Sequence, residues 1–213
     1  MSSAQTKISA EGLLAVQPAL FDSRRFATAF LERVRLELQR ISLAEIETAV
    51  EALVTTWHDG GTVFVAGNGG NATTSAHFVS DLSEAVWRQK RENRSWPFAV
   101  GLADNLPRLT ALANDISYDE VFAHQIEGRI DVGDLLVLFS GSGDSANLLR
   151  AARVARGAGA TVLGVLGSGG GEAAKLSEHT IILQSSEPGV VESAQVALHH
   201  LLTTTLRQRI SGE

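Results

Sequence analysis

A histidine and a carboxylate stand one helical turn apart, directly after a glycine-rich turn. His77 and Asp81 are at positions i and i+4, which places both side chains on one face of a helix. The turn Gly67–Asn71 precedes them and follows Thr62–Ala66, an apolar run typical of a buried parallel strand. A strand, glycine turn and helix in this order present backbone N–H groups and a positive helix end, which favour phosphate. The stretch therefore predicts a phosphate site beside a His/carboxylate pair.

A second polar loop follows another apolar run. Residues 135–140 are typical of a buried strand, and Ser140, Ser142 and Ser145 lead into a helix predicted from Ala146. Small residues let the backbone approach an anion, and the three hydroxyls can donate hydrogen bonds to phosphate oxygens. Serine, glycine and aspartate also form ordinary turns and helix caps, so a purely structural role for this loop stays equally open. A third loop, Gly167–Gly171, is rich in glycine but has no clear pattern of donors.

The composition of the chain argues against several classes of protein. The chain has 213 residues, a formal net charge of −6 and a pI near 5.5, which argue against a general nucleic-acid surface. The absence of cysteine excludes disulfides and thiolate metal sites, so a metal would need histidine and carboxylate ligands. The sequence shows neither an apolar run of membrane-spanning length nor a signal-peptide pattern, and we expect a cytoplasmic protein. A local basic run, which is most simply a solvated loop, comprises Arg88, Lys90, Arg91 and Arg94.

Two amphipathic helices are predicted before the first strand. The first begins at Asp22/Ser23, and the second begins at Ser42, with Glu45 as the reciprocal partner of a capping box. A sheet alone cannot bury both apolar stripes, so we expect these helices to pack on the edge of the domain or against another subunit. We therefore predict a helical oligomerisation segment over residues 1–55 and a catalytic domain over residues 56–213.

The rest of the chain alternates strands with helices. After the first strand, the predicted strands are Phe98–Leu102, Leu135–Ser140, Thr161–Leu166 and Thr180–Leu183. This order predicts a doubly wound α/β fold with an open, mostly parallel, five-stranded sheet flanked by helices. Ligands of such sheets bind beyond the carboxyl ends of the strands, where the polar loops lie.

The glycine turn does not match the common nucleotide-binding motifs. It lacks both the G-x-G-x-x-G spacing of dinucleotide sites and the Gly-Lys-Ser/Thr of a Walker loop. Taken together, the motifs instead resemble the SIS (sugar isomerase) domain of phosphoheptose isomerases, from about residue 55 to the end. The motifs that carry this resemblance are Gly67–Gly70, His77–Phe78 with Asp81, Ala113–Asp115, Ser140–Ser145 with Asn147, Gly170–Glu172, and a histidine-bearing last helix.

The resemblance implies a tetrameric enzyme that converts sedoheptulose 7-phosphate into glycero-manno-heptose 7-phosphate, often with zinc in its site. The family's helical His and Glu fall on His77 and Asp81, and its last-helix Gln and catalytic His fall on Glu192 and His200. Asp81 keeps the carboxylate but is one methylene shorter, and Glu192 replaces a neutral amide by an anion. At two further positions, Gly141 and Asn71 stand where the family has Thr and Ser.

The site that follows from this resemblance has three parts. The catalytic residues are Asp81 and His200. The metal ligands, expected to hold zinc, are His77, Asp81, Glu192 and His200. The residues that bind substrate and phosphate are Asn68, Gly69, Gly70, Asn71, Asp104, Ser140, Ser142, Ser145 and Glu192.

The proposed chemistry sets its own requirements. Aldose–ketose isomerisation needs a base for a proton next to a carbonyl, an acid for the oxygens and stabilisation of an enediolate, and Asp81 and His200 can fill the first two roles. A divalent metal would polarise the carbonyl. At 100° per residue, His199 lies closer than His200 to the direction of Glu192, and only the resemblance selects His200.

Two alternatives remain at this point. Some SIS proteins of similar length are regulatory or assembly proteins, including a tetrameric partner of the bacterial replication initiator. Those proteins lack the acidic residue at the place of Asp81. The second alternative is an isomerase of another ketose phosphate in a specialised sugar pathway.

Overall fold

The computed structural model describes residues 21–87, 89 and 98–211. The predicted N-terminal tail, residues 1–20, and all four cations of the basic run lie outside the described residues. The helices are α1 (Ser23–Arg40), α2 (Leu43–Asp59), α3 (Gly70–Val86), α4 (Leu106–Asp115), α5 (Ala123–Ile126), α6 (Ala146–Gly157), α7 (Gly171–Leu176) and α8 (Pro188–Ser211). The strands are β1 (Val63–Gly67), β2 (Ala99–Gly101), β3 (Leu135–Ser140), β4 (Thr161–Leu166) and β5 (His179–Ile182).

The five strands form one parallel sheet in the order β2-β1-β3-β4-β5. The predicted doubly wound α/β fold is confirmed. The bounds of β3 and β4 match the predicted ones, and those of the other three strands differ by one residue at each end. In the central register, Val63 pairs with Leu135, and Leu135 pairs with Thr161. From β1 the chain continues to β2 on one side, and β3 and the later strands lie on the other side. The loops after β1 and β3 therefore run in opposite directions and leave a crevice between them.

Every residue of β1 and β3 is buried, as expected for strands covered by helices on both faces. Alternate side chains of β1 point into two separate cores. Val63 and Val65 pack in a core with residues of α2, α3 and α8, whereas Phe64 and Ala66 pack in a core with residues of α4, α5 and α6. The sheet is therefore the fixed layer from which α3, α6 and α8 are positioned.

The two N-terminal helices begin where the sequence predicts. The Asp22 side chain accepts hydrogen bonds at the start of α1, and the Ser42 hydroxyl accepts one from the Glu45 backbone N–H at 3.3 Å. The predicted reciprocal bond from Glu45 is wrong, because its carboxylate accepts the N–H of Ile182 instead, at 3.2 Å. Ile182 lies in β5, which is an edge strand, and its N–H needs a partner from outside the sheet.

α1 and α2 differ in how they are packed. α2 buries Ala49, Val50, Leu53 and Trp57 in the same core as the sheet, and the predicted boundary between residues 55 and 56 lies inside this helix. α1 buries only Glu37, whose carboxylate accepts backbone N–H groups at residues 184 and 185. Within the described residues, no helix is both long and apolar enough to cross a membrane.

Candidate functional site

A pocket lies in the crevice where the strand order reverses, beyond the ends of β1 and β3. Loops after β1, β3 and β4 and the start of α8 form its walls, which is the general location of ligand sites in open parallel sheets. Its polar lining residues are Asn68, Asn71, Ser140, Ser142, Ser145, Ser168, Ser186 and Glu192. Six of these eight residues are among the predicted substrate-binding residues.

The turn after β1 brings the start of α3 close to the start of α8. Gly69 has a φ of 57°, a left-handed conformation that favours glycine, and α3 begins at Gly70 without a side-chain cap. A Cβ on Gly70 would stand 2.5 Å from Oε2 of Glu192, so only glycine allows this approach. The carboxylate of Glu192 therefore lies against the N-terminus of α3, where the helix dipole favours a negative charge.

The Asn68 side chain ties together three parts of the chain. Its amide exchanges two hydrogen bonds with the buried amide of Asn147 in α6, both at 2.9 Å, and its Oδ1 also accepts the hydroxyl of Tyr118 at 3.0 Å. These bonds fix the separation of the two loops that line the pocket. Tyr118 is a residue that the sequence analysis missed, since nothing in the sequence links it to a residue 50 positions away.

The serine hydroxyls of the loop after β3 stabilise the turn and also line the pocket. The hydroxyl of Ser140 accepts the N–H of Gly143 at 2.9 Å, and that of Ser142 accepts the N–H of Asp144 at 3.2 Å. Ser145 is the residue before α6, but its side chain makes no capping bond to that helix. Because hydroxyls that accept in the turn keep their own hydrogens, this loop can donate several hydrogen bonds to one anion beside the N-terminus of α6.

Two residues, Ser168 and Asp104, differ from the predicted set of pocket residues. The glycine-rich loop after β4 contributes Ser168, which has a φ of 50° and is the one non-glycine residue with positive φ in the described structure. Asp104 follows β2, and a Cβ on Gly101 would lie 2.0 Å from its Oδ2. Asp104 is not part of the pocket lining, and partial burial raises the pKa of its carboxyl.

The predicted histidine–carboxylate pair forms part of a tight imidazole cluster between α3 and α8. We define this cluster as His77, Asp81, His199 and His200. Asp81 Oδ1 lies 3.6 Å from His77 Nε2, and Asp81 Oδ2 lies 3.4 Å from His199 Nε2 and 3.2 Å from His200 Nδ1. One ligand atom from each residue lies within 4.8 Å of the other three, so the group is compact enough to hold a single metal ion.

His199 is the buried member of the imidazole cluster. Its side chain is 0% exposed, whereas those of His77 and His200 are about half exposed, at 48% and 50%. Burial lowers the pKa of His199 to about 4, and the neighbouring His200 and His77 add to this effect against the opposing pull of Asp81. His199 is therefore a neutral imidazole at pH 7.

The cluster differs from the predicted metal ligands in one member. His77, Asp81 and His200 are brought together as expected, but the described group contains His199 and does not contain Glu192. His199 follows Glu192 by seven positions along α8, a rise of about 10.5 Å at 1.5 Å per residue. The resemblance, and not the angular argument, put Glu192 and His200 on one ion, and it took no account of this rise along the helix.

Comparison with known proteins adds an independent observation. A family model described as the SIS domain matches residues 26–167. A probable phosphoheptose isomerase of Thermoplasma volcanium is 33% identical over 177 residues, which cover 83% of this chain and 88% of that protein. A phosphoheptose isomerase of Aliarcobacter butzleri is 31% identical over 166 residues, which cover 78% and 86%. The solved structure of a phosphoheptose isomerase from Neisseria gonorrhoeae matches with a TM-score of 0.76 at 26% identity, over 86% of this chain and 97% of that chain.

Proposed function

Because the chain belongs to the SIS-domain family and, within it, to the phosphoheptose isomerases, we propose that it converts sedoheptulose 7-phosphate into D-glycero-D-manno-heptose 7-phosphate. The reaction is an aldose–ketose isomerisation through an enediol or enediolate. The observation that carries the proposal is the order of two features along α3 and α8. A hydroxyl-rich anion pocket lies at the start of both helices, and the imidazole–carboxylate cluster lies further along them.

The pocket suits the phosphate end of the substrate. Ser142 and Ser145 offer hydroxyl donors at the N-terminus of α6, and Asn71 lies at the uncapped N-terminus of α3. Charge-assisted hydrogen bonds from such donors are among the stronger polar contacts of proteins. The glycine turn at Gly69 and Gly70 and the carboxylate of Glu192 then face the sugar hydroxyls, which can both donate and accept.

The imidazole cluster suits the reacting end. Asp81 and His200 take the acid and base roles: one group removes the proton from C1 of the ketose and returns it at C2, while the other exchanges protons with the two oxygens. Asp81 Oδ2 and His200 Nδ1 lie 3.2 Å apart, so a proton can pass between them when the substrate is bound. Asp104, which does not line the pocket, remains a proposed substrate contact.

The same side chains fit a divalent metal. The donor set consists of imidazole nitrogens and carboxylate oxygens without sulfur, which zinc accepts, and its spacing around Asp81 matches a single ion. We propose zinc, held by His77, Asp81 and His200, with direct acid and base roles for Asp81 and His200 as the alternative, because an atom that ligates the ion cannot also carry the proton. When bound, zinc would polarise the substrate carbonyl and stabilise negative charge on the enediolate oxygen.

The two ends of the site are separated in a way that fits a long sugar. α3 and α8 both begin at the pocket and pack side by side. His199 follows the pocket residue Glu192 by seven positions, and His77 follows Gly70, which lies against the Glu192 carboxylate, by the same number. Seven residues correspond to about 10.5 Å of helix. A seven-carbon chain carries its phosphate at the end opposite to C1 and C2, so it is matched to this separation.

We also propose a homotetramer. Large apolar side chains of α1 and α8 are exposed in the single chain: Phe26 is 50%, Leu31 66% and Leu201 44% exposed. Association of subunits through these helices would bury such side chains. Light scattering at micromolar concentration should give four times the mass of one chain, and a monomeric mass would contradict the assembly.

The test of the function is turnover of a panel of ketose phosphates. We expect sedoheptulose 7-phosphate to be converted with a higher kcat/KM than the alternative substrates fructose 6-phosphate and ribulose 5-phosphate. A preference for another ketose phosphate would favour the second isomerase alternative. No turnover of any member, by protein that is folded and loaded with zinc, would overturn the enzyme assignment in favour of the regulatory class. A chelator-treated sample that keeps full activity would remove the metal from the reaction.

A further inference from the structure

The hydrogen bonds of Asn68 leave one of its polar groups free. The Asn68 side chain is partly buried and lines the pocket. Its Oδ1 accepts from Asn147 Nδ2 at 2.9 Å and from the hydroxyl of Tyr118 at 3.0 Å, which occupies both lone pairs. One N–H of Asn68 donates to Asn147 Oδ1 at 2.9 Å, and the other has no partner among the described residues. Asn68 can therefore offer the pocket a donor and no acceptor.

The Asn68–Asn147 pair does not fix this orientation by itself. Two amides that exchange two hydrogen bonds keep both bonds when each swaps its oxygen and nitrogen. The backbone N–H of Leu148, which can only donate, lies 2.9 Å from Asn147 Oδ1 and is shared with the carbonyl of Ser145 at 3.0 Å. Because this donor needs an oxygen in front of it, Asn147 must turn its Nδ2 towards Asn68 Oδ1.

Tyr118 secures the orientation at the other end of the pair. A tyrosine hydroxyl can donate or accept, and since it faces Asn68 Oδ1 it donates. The turn Tyr118–Glu120 is itself tied to α6 by the ion pair of Glu120 with Arg150. The Tyr118 side chain is 52% exposed, so its ring contributes little to the core. The contact of this residue with the pocket is the hydroxyl bond to Asn68.

We propose that Tyr118 is a positioning residue of the isomerase, whose hydroxyl holds the Asn68 amide with its free N–H towards an acceptor oxygen of the bound sugar phosphate. This inference rests on the proposed function for the identity of the ligand. With the hydroxyl in place, Oδ1 of Asn68 cannot accept from a sugar hydroxyl. The ligand atom beside Asn68 must instead accept, as the phosphate and carbonyl oxygens of a ketose phosphate do.

The kinetic test uses variants of both partners. Tyr118→Phe removes the hydroxyl and keeps the ring, and it should raise KM for sedoheptulose 7-phosphate roughly three- to tenfold, the effect of one lost hydrogen bond. The value of kcat should stay within about twofold, because the bond serves binding. Asn68→Ala should raise KM at least as much. Adding Tyr118→Phe to Asn68→Ala should have no further effect, since the hydroxyl acts through Asn68.

Glu120→Gln is the matched control. It breaks the ion pair between the same turn and α6 without touching the hydroxyl, and it should keep the wild-type KM. An equal rise of KM in Glu120→Gln would assign the effect to the turn as a whole and overturn the inference. Additive losses in the double variant, or a wild-type KM in Tyr118→Phe, would overturn it as well.

A spectroscopic test needs no turnover. Tyr118 is the only tyrosine of the 213-residue chain, so the tyrosine doublet of the ultraviolet resonance Raman spectrum reports on its hydroxyl alone. The intensity ratio of this doublet differs between a donating and an accepting phenol. Ligand-free wild type should give the ratio of a donor, and Asn68→Ala should move it towards that of tyrosine in water. A ratio that does not respond to Asn68→Ala would contradict the role of the hydroxyl.

Failure of this inference and failure of the proposed function are distinguishable. A wild type that turns over no sugar phosphate, with a Raman ratio that still depends on Asn68, would remove the isomerase and with it the ligand. Turnover of sedoheptulose 7-phosphate with a KM that is insensitive to Tyr118→Phe would keep the isomerase and remove the role of Tyr118.

Discussion

The serine-lined pocket and the imidazole cluster are built by different means. The pocket lies on loops, and its polar groups bond to one another: Asn68 to Asn147, and the hydroxyls of Ser140 and Ser142 to backbone N–H groups. The imidazole cluster lies in the middle of two helices, and its buried member, His199, has no hydrogen bond. Because the polar groups of the loops have hydrogen-bond partners, the loops keep a fixed shape around an anion. The buried imidazole has no such partner, so its polar atoms remain available to a ligand.

The largest expected effect comes from removing the acid and base of the imidazole cluster. Asp81→Asn and His200→Gln should each lower kcat by roughly 100- to 10,000-fold, the range for a lost proton-transfer group. KM should change little, because the phosphate pocket is intact. Steady-state kinetics on sedoheptulose 7-phosphate give both numbers. Wild-type kcat in both variants would mean that the cluster is not the reacting end of the site.

The second effect concerns the stability of the metal-free protein against pH. The pKa of His199 is about 4 in the folded chain and about 6.5 in the unfolded chain, so only the unfolded state gains a proton as the pH falls between these values. The stabilising contribution of neutral, buried His199 is complete above pH 6.5 and is lost towards pH 4, at a cost of up to about 3 kcal/mol.

Thermal unfolding of chelator-treated protein from pH 7 to pH 4 measures this loss. His199→Ile should flatten the fall of Tm across that window. Leu198→Ile alters packing on the same helix without removing a titratable group, and it should keep the wild-type slope. A His199→Ile curve parallel to that of the wild type would show that His199 does not carry the pH dependence.

The third effect belongs to the pocket. Ser142→Ala and Ser145→Ala should each weaken sugar-phosphate binding by about 1.5–3 kcal/mol, or roughly 10- to 150-fold, because each removes a hydrogen bond to a charged group. The loss should appear in KM and in the affinity for inorganic phosphate, with kcat preserved. Ser211→Ala, at the far end of α8, is the control. If the double variant binds substrate as tightly as the wild type, the loop after β3 is not the phosphate site.

The two regions also differ in how far the sequence predicts them. The five strands and the pocket loops were predicted, because apolar runs and strand-end loops are local patterns and parallel strands end at one edge. Tyr118 was missed, since its bond to Asn68 joins distant parts of the chain.

The imidazole cluster was predicted only in part. Helical spacing paired His77 with Asp81 and placed His199 closer than His200 to the direction of Glu192, whereas the resemblance alone selected His200. Neither took account of the rise that separates both histidines from Glu192. The predicted capping-box bond of Glu45 was wrong for a similar reason. The partner of its carboxylate, Ile182, belongs to a strand 137 residues away. Local chemistry predicts which residues are reactive, and only the packing of α3 against α8 decides which of them meet.

The most direct test of the isomerase assignment is turnover of sedoheptulose 7-phosphate in deuterated water, followed by NMR. We predict formation of the heptose 7-phosphate with deuterium at C2, because a proton held on Asp81 or His200 exchanges with solvent before it is returned. Asp81→Asn should form product and exchange label at least 100 times more slowly. A folded, zinc-loaded wild type that neither forms the aldose nor incorporates deuterium would contradict the account.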